Sequence, residues 1–201
     1  MNTMALYYFL SLCSRLGEFA FVMPAAVILS AALWRAGAGK FAAALVASVA
    51  LCIALTTASK IAFMACGHVG APQINSPSGH ASLATIFYLS LARISWVNTR
   101  SPLRIFLVMT FLALIALICA SRVALHAHSP AETLIGFLIG AASFMVFWRG
   151  LDGNSEARTG GSILALSLFL GVYLTAGVRL EIEPSLEKLA RWVGVQLGCR
   201  Q

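Results

Sequence analysis

The chain has 201 residues, 60% of them hydrophobic and only 10% charged, with a mean hydropathy of +0.87. Soluble domains carry about 25% charged residues, so this composition excludes a soluble globular protein and predicts an integral membrane protein. The net charge of +7 contains no run of Lys and Arg that would serve as a nucleic-acid patch, and it fits basic loops lying against a membrane surface.

Residues 1–18 open the chain with an apolar stretch at 4–14. It is shorter than the roughly 20 helical residues that cross about 30 Å of hydrocarbon, so an interfacial or re-entrant helix is expected. The segment lacks the basic start and small-residue cleavage site of a secretory signal peptide, and no cleavage is expected. Residues 19–34 are the first clear span, ended by a glycine-rich turn between Arg35 and Lys40. Residues 41–66 are the second, rich in alanine and other small residues that favour close helix packing. Lys60 interrupts its last turns, where a lysine either snorkels or points into a polar cavity.

Residues 67–79 read G-H-V-G-A-P-Q-I-N-S-P-S-G, too dense in breakers for a helix. Residues 81–97 form a third span with Arg93 near its far end, 98–104 a basic turn, and 103–120 a fourth span. A short loop then leads to the fifth span at 131–148, a polar connection at 149–161 and a sixth apolar run at 162–178. The tail, residues 179–201, has helical apolar spacing with charges opposite and is expected to lie on the membrane surface. The expected fold is an all-α, polytopic membrane helical bundle of about six transmembrane helices in one domain, residues 1–201, without internal repeat. Cys13, Cys52, Cys66, Cys119 and Cys199 show no metal-ligand or C-x-x-C spacing and read as small core hydrophobes.

With alternating spans, Arg35, Lys40, Arg93, Arg100, Arg104, Arg149 and Arg158 gather on one face in short connections. Lys60, His68, His80, Arg122, His126, His128 and Glu132 gather on the other. Short basic loops stay in the cytoplasm, so the second set is expected to face outward.

The stretch from Cys119 to Thr133 carries the densest chemistry. Glu132 is the one carboxylate between Phe19 and Leu151. With Ser129 as N-cap and Pro130 at the first helical position, Glu132 falls at the third position of a capping box. Its spacing of four from His128 also lets it reach the imidazole, fix the tautomer and stabilise the imidazolium. Arg122, taken alone, reads as an arginine snorkelling from the end of an apolar helix.

Two segments on the outward face, Pro77–His80 and Ser121–Glu132, resemble the type 2 phosphatidic acid phosphatase (PAP2) superfamily, whose pattern is K-x6-R-P, then P-S-G-H, then S-R-x5-H-x3-D. The second motif is matched in full by Pro77, Ser78, Gly79 and His80. In the third, Ser121, Arg122 and His128 match at the family spacing, with Glu132 in place of the aspartate. In the first, Lys60 is in place, but Gly67 and His68 stand where Arg-Pro is expected.

The resemblance implies a bacterial inner-membrane lipid phosphatase with its active site facing the periplasm or cell exterior. Its partners would be membrane lipids and a lipid phosphate or diphosphate substrate: undecaprenyl diphosphate, phosphatidylglycerol phosphate, phosphatidic acid or a lipid A phosphate. His128 would be the nucleophile that forms a phosphohistidine, Glu132 would hold its other ring nitrogen, and His80 would be the general acid and then base. Lys60, Ser78, Gly79 and Arg122 would bind the phosphate, Arg122 by a two-pronged contact. His68 would partly replace the missing arginine, while Ser121 and His126 would stand behind the reacting groups. The scheme uses no metal and no cofactor. Two alternatives use the same residues: transfer of the phosphoryl group to another lipid, and a non-catalytic lipid-binding relative.

Overall fold

The computed structural model of the chain describes residues 3–66, 74–149, 183–196 and 198–199. Among these residues it contains seven α-helices and no strand: α1 (Thr3–Arg15), α2 (Phe19–Arg35), α3 (Gly39–Cys66), α4 (Gly79–Asn98), α5 (Leu103–Ala124), α6 (Pro130–Arg149) and α7 (Glu183–Gln196). The all-α expectation follows from solvent physics. A long apolar segment in lipid must satisfy its own backbone N–H and C=O groups, and a helix does so internally. The apolar run at 162–178, residues 150–161 before it and the part of the earlier loop at 67–73 that carries His68 lie outside the described residues.

α3, α5 and α6 are each long and apolar enough to cross a membrane. α2 has 17 residues and reaches spanning length only together with α1, to which it is joined at a 41° bend. α4 forms where a third span is expected but is not among the membrane-crossing candidates. The reason is its position. α4 packs against α2, α3, α5 and α6, is buried along most of its length, and so has protein rather than lipid around it. It can therefore carry hydroxyls, several of which it satisfies locally: Thr85 Oγ1 donates to Ala81 O at 2.7 Å and Ser90 Oγ to Ile86 O at 2.8 Å. α5, by contrast, leaves Leu103, Ile105, Phe106, Met109 and Leu112 exposed on its outer face.

The core is aromatic near α4, where Tyr88 stacks on Phe111 of α5 with ring centroids 6.2 Å apart. On its other side α6 approaches through two glycines one turn apart. A Cβ on Gly136 would strike the carbonyl oxygen of Ser78, and one on Gly140 would lie 2.5 Å from Ser82 O. Small residues at this spacing let two helix backbones meet, and here the contact fixes α6 against the start of α4.

Two expectations are corrected. α5 runs through Ala124, a turn beyond the expected end at residue 120, so Ser121 and Arg122 are helical rather than in a loop. The helix ends where Leu125 N–H returns to Ser121 O and His126 turns to φ 54°. Cys66 and Cys199 are not core hydrophobes but a disulfide pair, 133 residues apart, with Cα atoms 4.8 Å apart. The bond ties the end of α7 to the end of α3, where Gly194 also lies so close that a Cβ would sit 2.6 Å from Ala65 O. Two similar cysteines among five gave no local signal for pairing. Cys13 and Cys52 are buried as expected.

Gly140→Ala is expected to destabilise the bundle by about 1–3 kcal/mol, the usual cost of overpacking. A thermal melt in detergent checks this, with Gly39→Ala as the control whose new methyl meets only the Trp34 ring at 3.7 Å.

Candidate active site

The two motif segments meet at one end of the bundle at Glu132, whose carbonyl accepts from Ser78 and whose carboxylate holds the two residues before Pro77. Ser129 caps α6: Glu132 N–H donates to Ser129 Oγ at 3.2 Å, and Ser129 N–H donates back to Glu132 Oε2 at 2.9 Å. This is the reciprocal capping box. Glu132 Oε2 also lies 3.2 Å from His128 Nδ1. The other oxygen, Oε1, accepts the backbone N–H groups of Asn75 at 2.6 Å and Ser76 at 2.9 Å. Ser78 N–H donates to the Glu132 carbonyl at 3.1 Å. One residue thus caps its helix, holds the imidazole and fixes the loop that leads into α4.

His128 is held from both sides. Its own N–H and that of Ala127 donate to Arg122 O at 3.2 and 3.0 Å, and its side chain is 9% exposed. Burial pushes the imidazole below the ordinary histidine value. The positive charges of Lys60 and Arg122 push the same way, while the hydrogen bond and charge of Glu132 oppose them. The neutral ring that results places its proton on Nδ1, toward the carboxylate, and its lone pair on Nε2. That is the form a nitrogen nucleophile requires.

His128 lines a cavity of about 840 Å³ together with Lys60, Gly79, His80 and Arg122. Lys60 is buried, with Nζ donating to Ser76 Oγ at 3.3 Å, so of its two expected placements the cavity is the one observed. Gly79 and His80 open α4, where a helix N-terminus favours an anion. A Cβ on Gly79 would sit 3.8 Å from Lys60 Cε, so backbone and cation share one wall. Arg122 Nη1 donates to Ser14 Oγ at 2.8 Å.

The remaining candidates fall elsewhere. Ser78 is fully buried and caps α4, its Oγ accepting from Ala81 N–H at 3.4 Å, and it does not line the cavity. Ser121 is buried and bonds to Ile118 O at 2.7 Å. His126 is exposed at the left-handed position that ends α5. His68 lies outside the described residues.

Sequence reasoning missed the corner between α1 and α2. Ser14, Arg15 and Glu18 line the same cavity, and Glu18 Oε1 lies 3.9 Å from His80 Nε2. The available signal was Glu18 itself, a carboxylate between two apolar runs in a chain with only seven acidic residues.

The PAP2 superfamily pattern matches residues 41–156, more than half the chain. A protein of Klebsiella pneumoniae, described as an "Uncharacterized 22.5 kDa protein in cps region", is 30% identical over 147 residues, which cover 70% of each chain. No solved structure gives a significant match. With more than half of its length matched, including both segments that meet at Glu132, the chain belongs to the PAP2 superfamily.

Proposed function

We propose that this protein hydrolyses a lipid phosphate or diphosphate, without a metal ion, through a phosphohistidine on His128. The family is one of phosphatase-type activity on phosphate esters. The observation that carries the finer reading is the convergence of His128, His80, Lys60 and Arg122 on one cavity. Phosphoryl transfer asks chiefly for positioning and charge stabilisation, and these side chains supply both. His128 Nε2 attacks phosphorus while the bond to the leaving oxygen breaks and His80 gives that oxygen a proton. Water, deprotonated by His80, then attacks the phosphohistidine and releases inorganic phosphate. Lys60 and Arg122 hold the equatorial oxygens in both steps, and Glu132 stabilises the charge that His128 acquires.

A lipid substrate is supported by the cavity's shape. It is polar around Lys60 but continues along α3 to Ile53, two turns away and so about 10 Å deeper into the bundle, with Phe19 and Leu83 as further apolar walls. Headgroup and tail thus find different surroundings in one space. Flanking it, α1 exposes Tyr7, Tyr8 and Leu12 and α7 exposes Trp192 and Val195, faces suited to the interfacial zone of a bilayer.

Two features favour a site on the periplasmic side of the inner membrane. Arg35, Lys40, Arg100, Arg104 and Arg149 fall at the opposite ends of these helices, as the positive-inside rule asks of cytoplasmic connections. The Cys66–Cys199 disulfide lies at the site's end, and disulfides persist in oxidising compartments.

Purified protein in detergent with chelator should release phosphate from a panel of lipid monophosphates and diphosphates. His128→Ala should abolish release while eluting as wild type does on size exclusion; appreciable residual turnover would remove His128 from the nucleophile role. The acid limb of kcat/KM should lie below about 6.5, because His128 must be neutral and its surroundings disfavour the proton. Glu132→Gln removes the group that raises this pKa, so the limb should move lower still as the rate falls about 100-fold or more; an unmoved limb would separate Glu132 from the chemistry. In intact cells a membrane-impermeant maleimide should label Cys66 and Cys199 only after reduction, and labelling confined to lysed cells would place the site in the cytoplasm.

A further inference from the structure

The corner joining α1 to α2 lies outside the stretch that matches the family, yet it is seated on the proposed catalytic groups. Three contacts hold it there. Ser14 Oγ accepts from Arg122, Tyr88 Oη donates to Leu16 O at 3.0 Å, and Gly17 lies so close to α4 that a Cβ would sit 3.1 Å from His80 O. The next residue, Glu18, is the N-cap of α2 by backbone conformation, and its carbonyl accepts from Phe21 and Val22. Its side chain makes no capping bond to that helix. Instead the carboxylate points across the cavity to within ion-pair reach of His80, at 3.9 Å.

The charges around His80 give that carboxylate a purpose. Among the described residues, the charged and titratable side chains sharing its cavity are Arg15 and Glu18 from the corner, Lys60 from α3, Arg122 from α5 and His128 from the loop that follows; Pro184 and Leu186 of α7, which also reach it, are uncharged. The three cations suit a phosphate but work against a protonated imidazole. A general acid must nevertheless carry its proton when the leaving oxygen departs. Among these groups only Glu18 can offset the cations without leaving with the product.

We propose that Glu18 is the positioning residue for His80, holding it oriented and protonated for transfer to the leaving oxygen; the proposal rests on the phosphatase reading above. As the bond between phosphorus and the leaving oxygen breaks and the bond to His128 forms, the proton passes from His80 to that oxygen. Glu18 stays ionised throughout. Two imidazoles in this site are then each served by a carboxylate, His128 by Glu132 within the motif and His80 by Glu18 from outside it.

The test exploits the leaving group. Dioctanoyl phosphatidic acid expels an aliphatic alkoxide that needs the proton, whereas para-nitrophenyl phosphate expels a phenolate that needs it far less. With full-length protein in detergent, Glu18→Gln should lower kcat/KM for phosphatidic acid about 10- to 100-fold, a share of the roughly 10²–10⁴-fold a positioned acid contributes. The aryl phosphate should fall far less, and the alkaline limb for phosphatidic acid should move to lower pH. Parallel losses on both probes, or no loss, would overturn the role of Glu18 alone. Absence of release by wild type from either probe would overturn the phosphatase reading and the Glu18 role with it. If Glu18→Gln does not yield monodisperse protein, Glu18→Asp carries the same comparison: the charge stays but sits one methylene further from the ring, so a smaller selective loss supports the proposal and a parallel one overturns it.

Discussion

The site depends on how one buried carboxylate is satisfied. A charged group at the end of an apolar helix costs several kcal/mol unless hydrogen bonds replace its water. Glu132 meets that cost with donors from three places: its own N-cap, the imidazole of His128, and the backbone of Asn75 and Ser76. Because the donors come from two distant pieces of chain, 75–76 and 128–129, satisfying the charge also brings those pieces together. The methylene that Glu132 has beyond the usual aspartate is spanned by this arrangement, one oxygen facing His128 and Ser129 and the other the Asn75–Ser76 backbone. A glutamine would set an amide NH₂ against one of these donor groups, so its cost would fall on the loop as well as on the imidazole.

The bundle places that cluster by an ordering opposite to a soluble core. Its most apolar helices face outward, as α5 does, while the central α4 carries serines and threonines, of which Ser82, Thr85 and Ser90 bond within their own turn. Hydroxyls turned inward allow α6 to press two glycines onto the backbone at Ser78 and Ser82. The motif loop is therefore clamped between a helix backbone on one side and a carboxylate on the other. Held this way, Gly79 and His80 keep their places on the cavity wall, so the phosphate binding proposed above would need none of the reorganisation of a loose loop.

Around this centre the less apolar parts of the chain form a rim. α1, its corner with α2, and α7 carry exposed aromatic residues such as Tyr7, Tyr8 and Trp192 and several of the charges, and each contributes to the cavity wall. α7 is held to α3 by the disulfide and by the close approach of Gly194 to Ala65, so an amphipathic helix with weak packing of its own is fixed beside the site. Arg191 and Glu187, 3.9 Å apart on its exposed face, are a solvated pair that adds little stability.

The sequence by itself determined the helices and whatever acts over one turn of one. Apolar runs of spanning length can only be helical in lipid, and the spacing from Ser129 and His128 to Glu132 was enough to expect both the capping box and the imidazole contact. The identities at Lys60, Gly79, His80, Arg122 and His128 pointed to phosphate chemistry through their resemblance to the PAP2 pattern, whose separate motifs are each short enough to read locally. Only the tertiary structure decided what lies across the bundle. The bonds from Asn75 and Ser76 to Glu132 span 57 and 56 residues, Ser14 reaches Arg122 across 108, and Cys66 finds Cys199 across 133. The approach of Glu18 to His80 and the exclusion of Ser78 from the cavity belong to the same class. Such contacts depend on which helix faces meet, and in lipid those faces are chosen by glycine contacts and buried hydroxyls rather than by apolar periodicity, which in nearly all-apolar helices marks no side for packing.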